Sequence, residues 1–221
     1  MIDLDLGAMG AAYWTGNGHK WLCAPKGSGV LHVRADLRDQ IHPLVVSHGA
    51  NDDRPARPRF RAEFDWPGTS DPTPFLALPA AIRYVGGLHD DGWTGLMAAN
   101  RALARRGRDA LCEALGVPPP APDSMLGSMA AVPLPGIAVT RAAAARLQAQ
   151  LLDEDRIEVP VIPFPVRAAT DGGDAPAQLL VRISAQVYNR PGEYDALAAA
   201  LAGRVRAVSG PRSLLGRLRR G

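Results

Sequence analysis

Four prolines fall within the six residues Val117-Pro118-Pro119-Pro120-Ala121-Pro122, and they divide this chain. Proline lacks an amide hydrogen and has a fixed φ, so such a run can neither continue a helix nor lie inside a sheet. Whatever precedes it ends there, and whatever follows starts a new packing unit. Upstream, Leu96, Leu103, Leu111 and Leu115 lie on one side of a helical pattern over 94–115. Arg101, Arg105, Arg106 and Arg108 lie largely on the other, which predicts an amphipathic connecting helix within residues 91–117.

Downstream the pattern reads β-α-β-β-α. Strands are expected at 128–134, at 157–166 and at 179–184, the second interrupted by prolines and so placed at an edge. Helices are expected at 141–153 and at 191–205, the latter with proline in its first turn. Residues 118–208 thus form a small α+β domain, and residues 209–221 a basic tail in which Arg212, Arg217, Arg219 and Arg220 are read as solvated. Residues 1–90 show a short strand at 12–16, a Gly/Asn/Pro-rich loop, and a second strand at 29–34, expected to be mostly buried. Residues 49–73 are expected to be an irregular loop, and Asp71-Pro72-Thr73-Pro74 to open a helix whose apolar face includes Leu76, Ala80, Ile82 and Val85. The start, with Ile2, Leu4 and Leu6 alternating with polar residues, reads as the middle of a domain.

Composition excludes some functions. At 221 residues and 47% hydrophobic the chain has enough apolar material for a core. Its formal net charge of +3 is too small to suggest a nucleic-acid binder. No apolar run reaches the roughly 18 residues of a membrane span, and no signal peptide is evident, so a cytoplasmic protein is expected. Cys23 and Cys112 have no metal-ligand spacing, and no metal site is expected.

The cations are distributed unevenly. Of the 25 basic residues only Lys20 and Lys26 are lysine, and both lie in Thr15-Gly16-Asn17-Gly18-His19-Lys20-Trp21-Leu22-Cys23-Ala24-Pro25-Lys26-Gly27-Ser28-Gly29. A lysine amine can lose its proton in a suitable site, whereas a guanidinium stays charged. A neutral amine can condense with an aldehyde to a Schiff base, which is how pyridoxal phosphate is anchored. Glycines at 16 and 18 allow a sharp turn, and Asn17 and His19 can hydrogen-bond to a phosphate. The residues alone leave two readings, a cofactor-anchoring lysine or a solvated loop lysine.

This segment resembles the Schiff-base lysine region of the class V aminotransferase-like, fold-type-I enzymes, and in particular isopenicillin-N epimerase and its relatives. Trp66-Pro67-Gly68-Thr69-Ser70-Asp71-Pro72-Thr73 and Arg182-Ile183-Ser184-Ala185-Gln186-Val187-Tyr188-Asn189 agree with the same family in order and spacing. The resemblance implies an α/β fold: a partial large domain over 1–90 holding the lysine, a connecting helix, and the small C-terminal domain. It implies pyridoxal 5'-phosphate as cofactor, with Lys20 forming the internal aldimine and then acting as acid-base. Asn17 and His19 would fall near the cofactor phosphate. Thr69 would reach the cofactor of the second subunit in a homodimer. Arg182 would clamp the α-carboxylate of an amino-acid substrate, and Asn189 would help hold that segment of the substrate site.

The resemblance covers about the C-terminal half of the family's usual chain. The aspartate that pairs with the pyridine nitrogen and the group that stacks on the ring have no counterpart here, so the chain alone is expected to turn over little substrate. It is also expected to expose part of a parallel sheet. Among family reactions, cysteine desulfuration is disfavoured. Its nucleophilic cysteine would lie shortly before the substrate arginine, and residues 167–181 contain none, while Cys23 is expected to be a buried structural thiol. Epimerisation, transamination and elimination remain. Epimerisation needs a second acid-base group, and His42 and His48 are read instead as packed or solvated histidines. A non-catalytic remnant or dimerising scaffold is the competing class.

Overall fold

A computed structural model of the chain describes residues 1–53, 57–165 and 178–209. The chain forms two compact units: residues 3–93, and residues 1–2 together with the chain from Thr94 onward.

In the unit of residues 3–93, β1 (Tyr13–Asn17) and β2 (Gly29–Val33) form an antiparallel pair, with Tyr13 opposite Val33 and Asn17 opposite Gly29. The exposed remnant of a parallel sheet is therefore not what these residues make. β2 is also less buried than its apolar sequence predicts: Val30 and Leu31 are 43% and 44% exposed, and only Val33 is enclosed. In a two-stranded pair neither face is covered by default, so apolar content alone does not bury a strand. Residues 49–73 are not wholly irregular either. A 3-10 turn spans His48–Asn51, and α1 covers Arg59–Phe64. Ion pairs Arg59–Glu63 and Arg61–Asp65, four residues apart, support this single helical segment, which is too short to show an apolar period. Then α2 (Thr73–Gly86) starts with Pro74 in its first turn and carries Pro79 inside it.

The second unit is built on a three-stranded antiparallel sheet. Its strands are β3 (Met129–Pro133), β4 (Val161–Phe164) and β5 (Gln178–Ser184), in the order β3-β5-β4. β4, with Pro163 in it, takes the edge its prolines require. Val166, at the end of the expected strand, lies outside the described residues, as do Arg212, Arg217, Arg219 and Arg220 of the tail.

Alternation along the central strand buries Leu179, Val181 and Ile183 on one face. They meet Leu111 and Leu115 of α3 (Gly92–Leu115), Leu147 and Leu151 of α4 (Arg141–Asp155), and Tyr194, Leu197 and Leu201 of α5 (Pro191–Ser209) in one core. Thr140 caps α4, its hydroxyl accepting from the Ala143 amide at 3.0 Å.

α3 departs from its expected polarity at Arg108, which is buried. Its guanidinium donates to Asp109 Oδ1 and to Asp123 Oδ1, each at 2.7 Å, and to the Ala121 carbonyl at 3.4 Å. A buried cation is tolerable only when paired in this way. The pairing ties the helix to the segment on the far side of the proline run.

α3 also packs closely at Gly107. A methyl group there would meet Ile183 Cδ1 and Tyr194 Cδ1 at 2.8 Å each. Gly107→Ala is expected to destabilise the protein by about 1–3 kcal/mol through overpacking. Chemical denaturation checks this, and a neutral or stabilising effect would contradict the packing described.

Candidate active site

Lys20 lies in the loop between β1 and β2. The loop is held at three points: the Gly18 amide donates to the Ser28 carbonyl at 3.0 Å, the Ala24 amide to the Gly18 carbonyl at 3.1 Å, and the Cys23 amide to the Lys20 carbonyl at 3.1 Å. Gly18 is buried at the strand end, where a Cβ would fall 2.5 Å from Ser28 Oγ and 2.6 Å from Leu78 Cδ2. A side chain at this position would require Ser28 and Leu78 to shift, so glycine suits the close approach. Immediately after it, His19 and Lys20 emerge exposed, and Asn17 is exposed just before it.

Cys23 is exposed, which corrects the expectation of a buried thiol. Its φ of 54° is left-handed, a conformation costing an L-residue about 1–2 kcal/mol. It lies in the turn whose backbone bond runs from its own amide to Lys20. Thr69 occupies a separate exposed bend of the same unit, after Gly68 at φ 115°.

Arg182 and Asn189 belong to the other unit, where both line one open groove of about 580 Å³ together with Ser184, Tyr188 and Glu193. Arg182 reaches it because alternation along β5 points its side chain away from the core. Asn189 has its polar atoms engaged locally. Its Oδ1 accepts from the Gln186 amide at 3.0 Å, and its Nδ2 donates to Glu193 Oε2 at 2.9 Å. Tyr194 donates to the Ser184 carbonyl at 2.7 Å, and burial raises its hydroxyl pKa to about 12.

The structure adds groups the sequence reading passed over. Glu63 is buried beneath the loop that carries His42. Its Oε2 lies 2.7 Å from His42 Nδ1, and its Oε1 accepts from Arg59 Nε at 2.6 Å. His42 is therefore neither core nor free surface; it is half-exposed in an ion-pair cluster. Asn100 and Gln186 form a buried amide pair. The signal for Asn100 was a polar residue on the apolar stripe of α3, between Leu96 and Ala104. The signal for Glu63 was its spacing of four from Arg59.

No family model matches this chain. It is 36% identical over 210 residues to isopenicillin N epimerase of Amycolatopsis lactamdurans, a match covering 90% of this chain and 48% of that protein. It is 30% identical over 212 residues to the probable chloroplastic L-cysteine desulfhydrase of Arabidopsis thaliana, covering 93% and 42%. In fold it is similar to the apo cysteine desulfurase of Thermococcus onnurineus NA1, with a TM-score of 0.65 at 22% identity, over 91% of this chain and 49% of that one. Over these residues the chain is similar to isopenicillin N epimerases and L-cysteine desulfhydrases, enzymes of the class V aminotransferase family. It spans about half the length of the curated relatives it matches.

The mixed α/β architecture of the chain is thus part of the fold-type-I pyridoxal-phosphate fold. Among the described residues no helix is long and apolar enough to cross a membrane.

The Glu63 cluster has a pH signature. His42 and Arg59 hold the Glu63 carboxyl below its ordinary value. A carboxyl whose folded-state pKa is depressed stabilises the fold above its unfolded value of about 4.3, and that stabilisation is lost as pH falls through the lower, folded value. Glu63→Gln is therefore expected to flatten the acid limb of the thermal-stability profile below about pH 4.3. Parallel acid limbs in variant and parent would contradict the cluster's role.

Proposed function

We propose that this chain carries the cofactor-anchoring and carboxylate-binding portions of a pyridoxal-phosphate enzyme acting on an amino acid, of the epimerase/racemase or aminotransferase kind. The observation that supports it most is Lys20, one of two lysines in the chain and the one directly after His19, exposed in a loop braced at Gly18. The match over nine tenths of the chain to an isopenicillin N epimerase adds to it.

The donor set fits the cofactor. Lys20 offers a primary amine to an aldehyde, and Asn17, His19 and Thr69 are exposed polar groups of the kind a phosphate takes. Bound there, pyridoxal phosphate would supply the electron sink that makes an amino acid's Cα–H acidic. Lys20 holds the cofactor and, when released from it, accepts and returns the Cα proton at Nζ. Arg182 orients the substrate through its α-carboxylate, for which the planar guanidinium is suited as a two-pronged donor. Asn189 keeps that wall of the groove in place. Thr69 serves the second subunit of a homodimer.

The similarity to an L-cysteine desulfhydrase favours a second reading, elimination of sulfide from cysteine. Both start with removal of the same proton and differ in what leaves. Desulfuration through a cysteine persulfide is the weaker option, because no cysteine lies between 167 and 181.

Titration of the full chain with pyridoxal phosphate and then with amino acids tests the assignment. Lys20→Ala is expected to abolish the cofactor-dependent absorbance change. Arg182→Ala is expected to preserve it while raising the amino-acid concentration needed to perturb it by roughly ten- to hundredfold, the size of a lost charged hydrogen bond. An Arg182→Ala response equal to the parent's would contradict the carboxylate role. Lys20-dependent sulfide from L-cysteine would replace the epimerase or aminotransferase reading with the desulfhydrase one.

A further inference from the structure

The wall of the Arg182 groove is a short turn, residues 185–189, between β5 and α5. Its backbone is held from inside the protein. The Ala185 amide donates to the Ser128 carbonyl at 2.8 Å, and the Asn189 amide to the Gln186 carbonyl at 2.8 Å. The Gln186 amide donates to Asn189 Oδ1, and Gln186 Oε1 accepts from the Val187 amide at 2.9 Å. That same oxygen accepts from Asn100 Nδ2 at 2.8 Å, reaching across from the middle of α3. Asn100 is 2% exposed and Gln186 3%.

Asparagine is a poor helix former, and burying its amide costs free energy unless it is bonded. A leucine would suit the stripe defined by Leu96, Ala104 and Leu111 better. The polar residue therefore gives up local stability at this position, and what it gains is a bond to a side chain that orders the turn.

We propose that Asn100 is a positioning residue. Through Gln186 it sets the 185–189 turn, and with it Tyr188 and Asn189, so that the groove around Arg182 is shaped to receive an amino-acid carboxylate. The inference rests on the reading of Arg182 given above. Arg182 alone is an exposed arginine on the open face of a sheet; the turn makes it one side of a groove. Asn100 touches no ligand in this scheme and acts only by fixing the wall.

The test is an NMR titration of the full chain with L-alanine, read at the amides of Arg182, Tyr188 and Asn189, with hydrogen exchange of the Val187 amide measured alongside. In the parent the shifts are expected to saturate, and in Arg182→Ala to vanish. Asn100→Leu is expected to weaken L-alanine binding about tenfold and to speed Val187 exchange. Because Asn100→Leu removes one of the two donors to Gln186 Oε1, the variant Asn100→Leu/Gln186→Met is measured beside it. It replaces both amide partners with apolar groups of similar shape, at the further loss of the Val187 amide's acceptor, and binding is expected to stay about tenfold weak. Parent-like affinity in the folded double variant overturns the positioning role and leaves the reading of Arg182 intact. Absence of saturable shifts at Arg182 in the parent overturns that reading and this inference with it.

Discussion

β5 pairs on both sides, with β3 and with β4, so its side chains must alternate between a covered face and an open one. Leu179, Val181 and Ile183 take the covered face and are almost wholly enclosed by α3, α4 and α5. Burying a side chain of this kind contributes about 1.5–3 kcal/mol, and a slip of one residue would turn all three outward. The same register places Arg182 on the open face. Core formation and presentation of the arginine are thus one constraint, and the groove beside Arg182 exists because the strand cannot shift.

The Lys20 loop obeys a different logic. Its shape comes from backbone bonds around Gly18, which packs closely against Ser28 and Leu78. Local bonding suffices to expose a short run of polar groups, Asn17, His19 and Lys20, in sequence order. That is why this run could be read as a motif.

Much of the small unit was legible for a related reason. The alternating 179–184 and the leucine-rich 94–115 each state a local preference that the packing then respects; the four prolines after Leu115 end α3 as expected but do not divide the packing, because α3 shares one core with the elements that follow them. The misreadings share a cause as well. β2 was read as buried from apolar composition, but burial depends on what lies across the strand, and a two-stranded pair covers little. Arg108 was assigned outward by helical position. Its burial rests on Asp123, a partner beyond the proline run that no helical period reveals. α1 escaped notice because six residues are too few to establish a period, and Cys23 because exposure of a thiol depends on the turn around it. Asn100 and Gln186 are 86 residues apart in sequence, and only the fold discloses that they are one unit.

The central claim is that Lys20 is a lysine because its amine anchors a cofactor, and the chain contains its own control. Lys26 is exposed in the same loop, six residues on and without the Gly18-His19 pair directly before it. Incubating the chain with pyridoxal phosphate, reducing with borohydride and mapping the labelled peptides measures the difference directly. The expected result is a label on Lys20 in strong preference to Lys26. Equal labelling of the two lysines, or none on Lys20, would contradict the account.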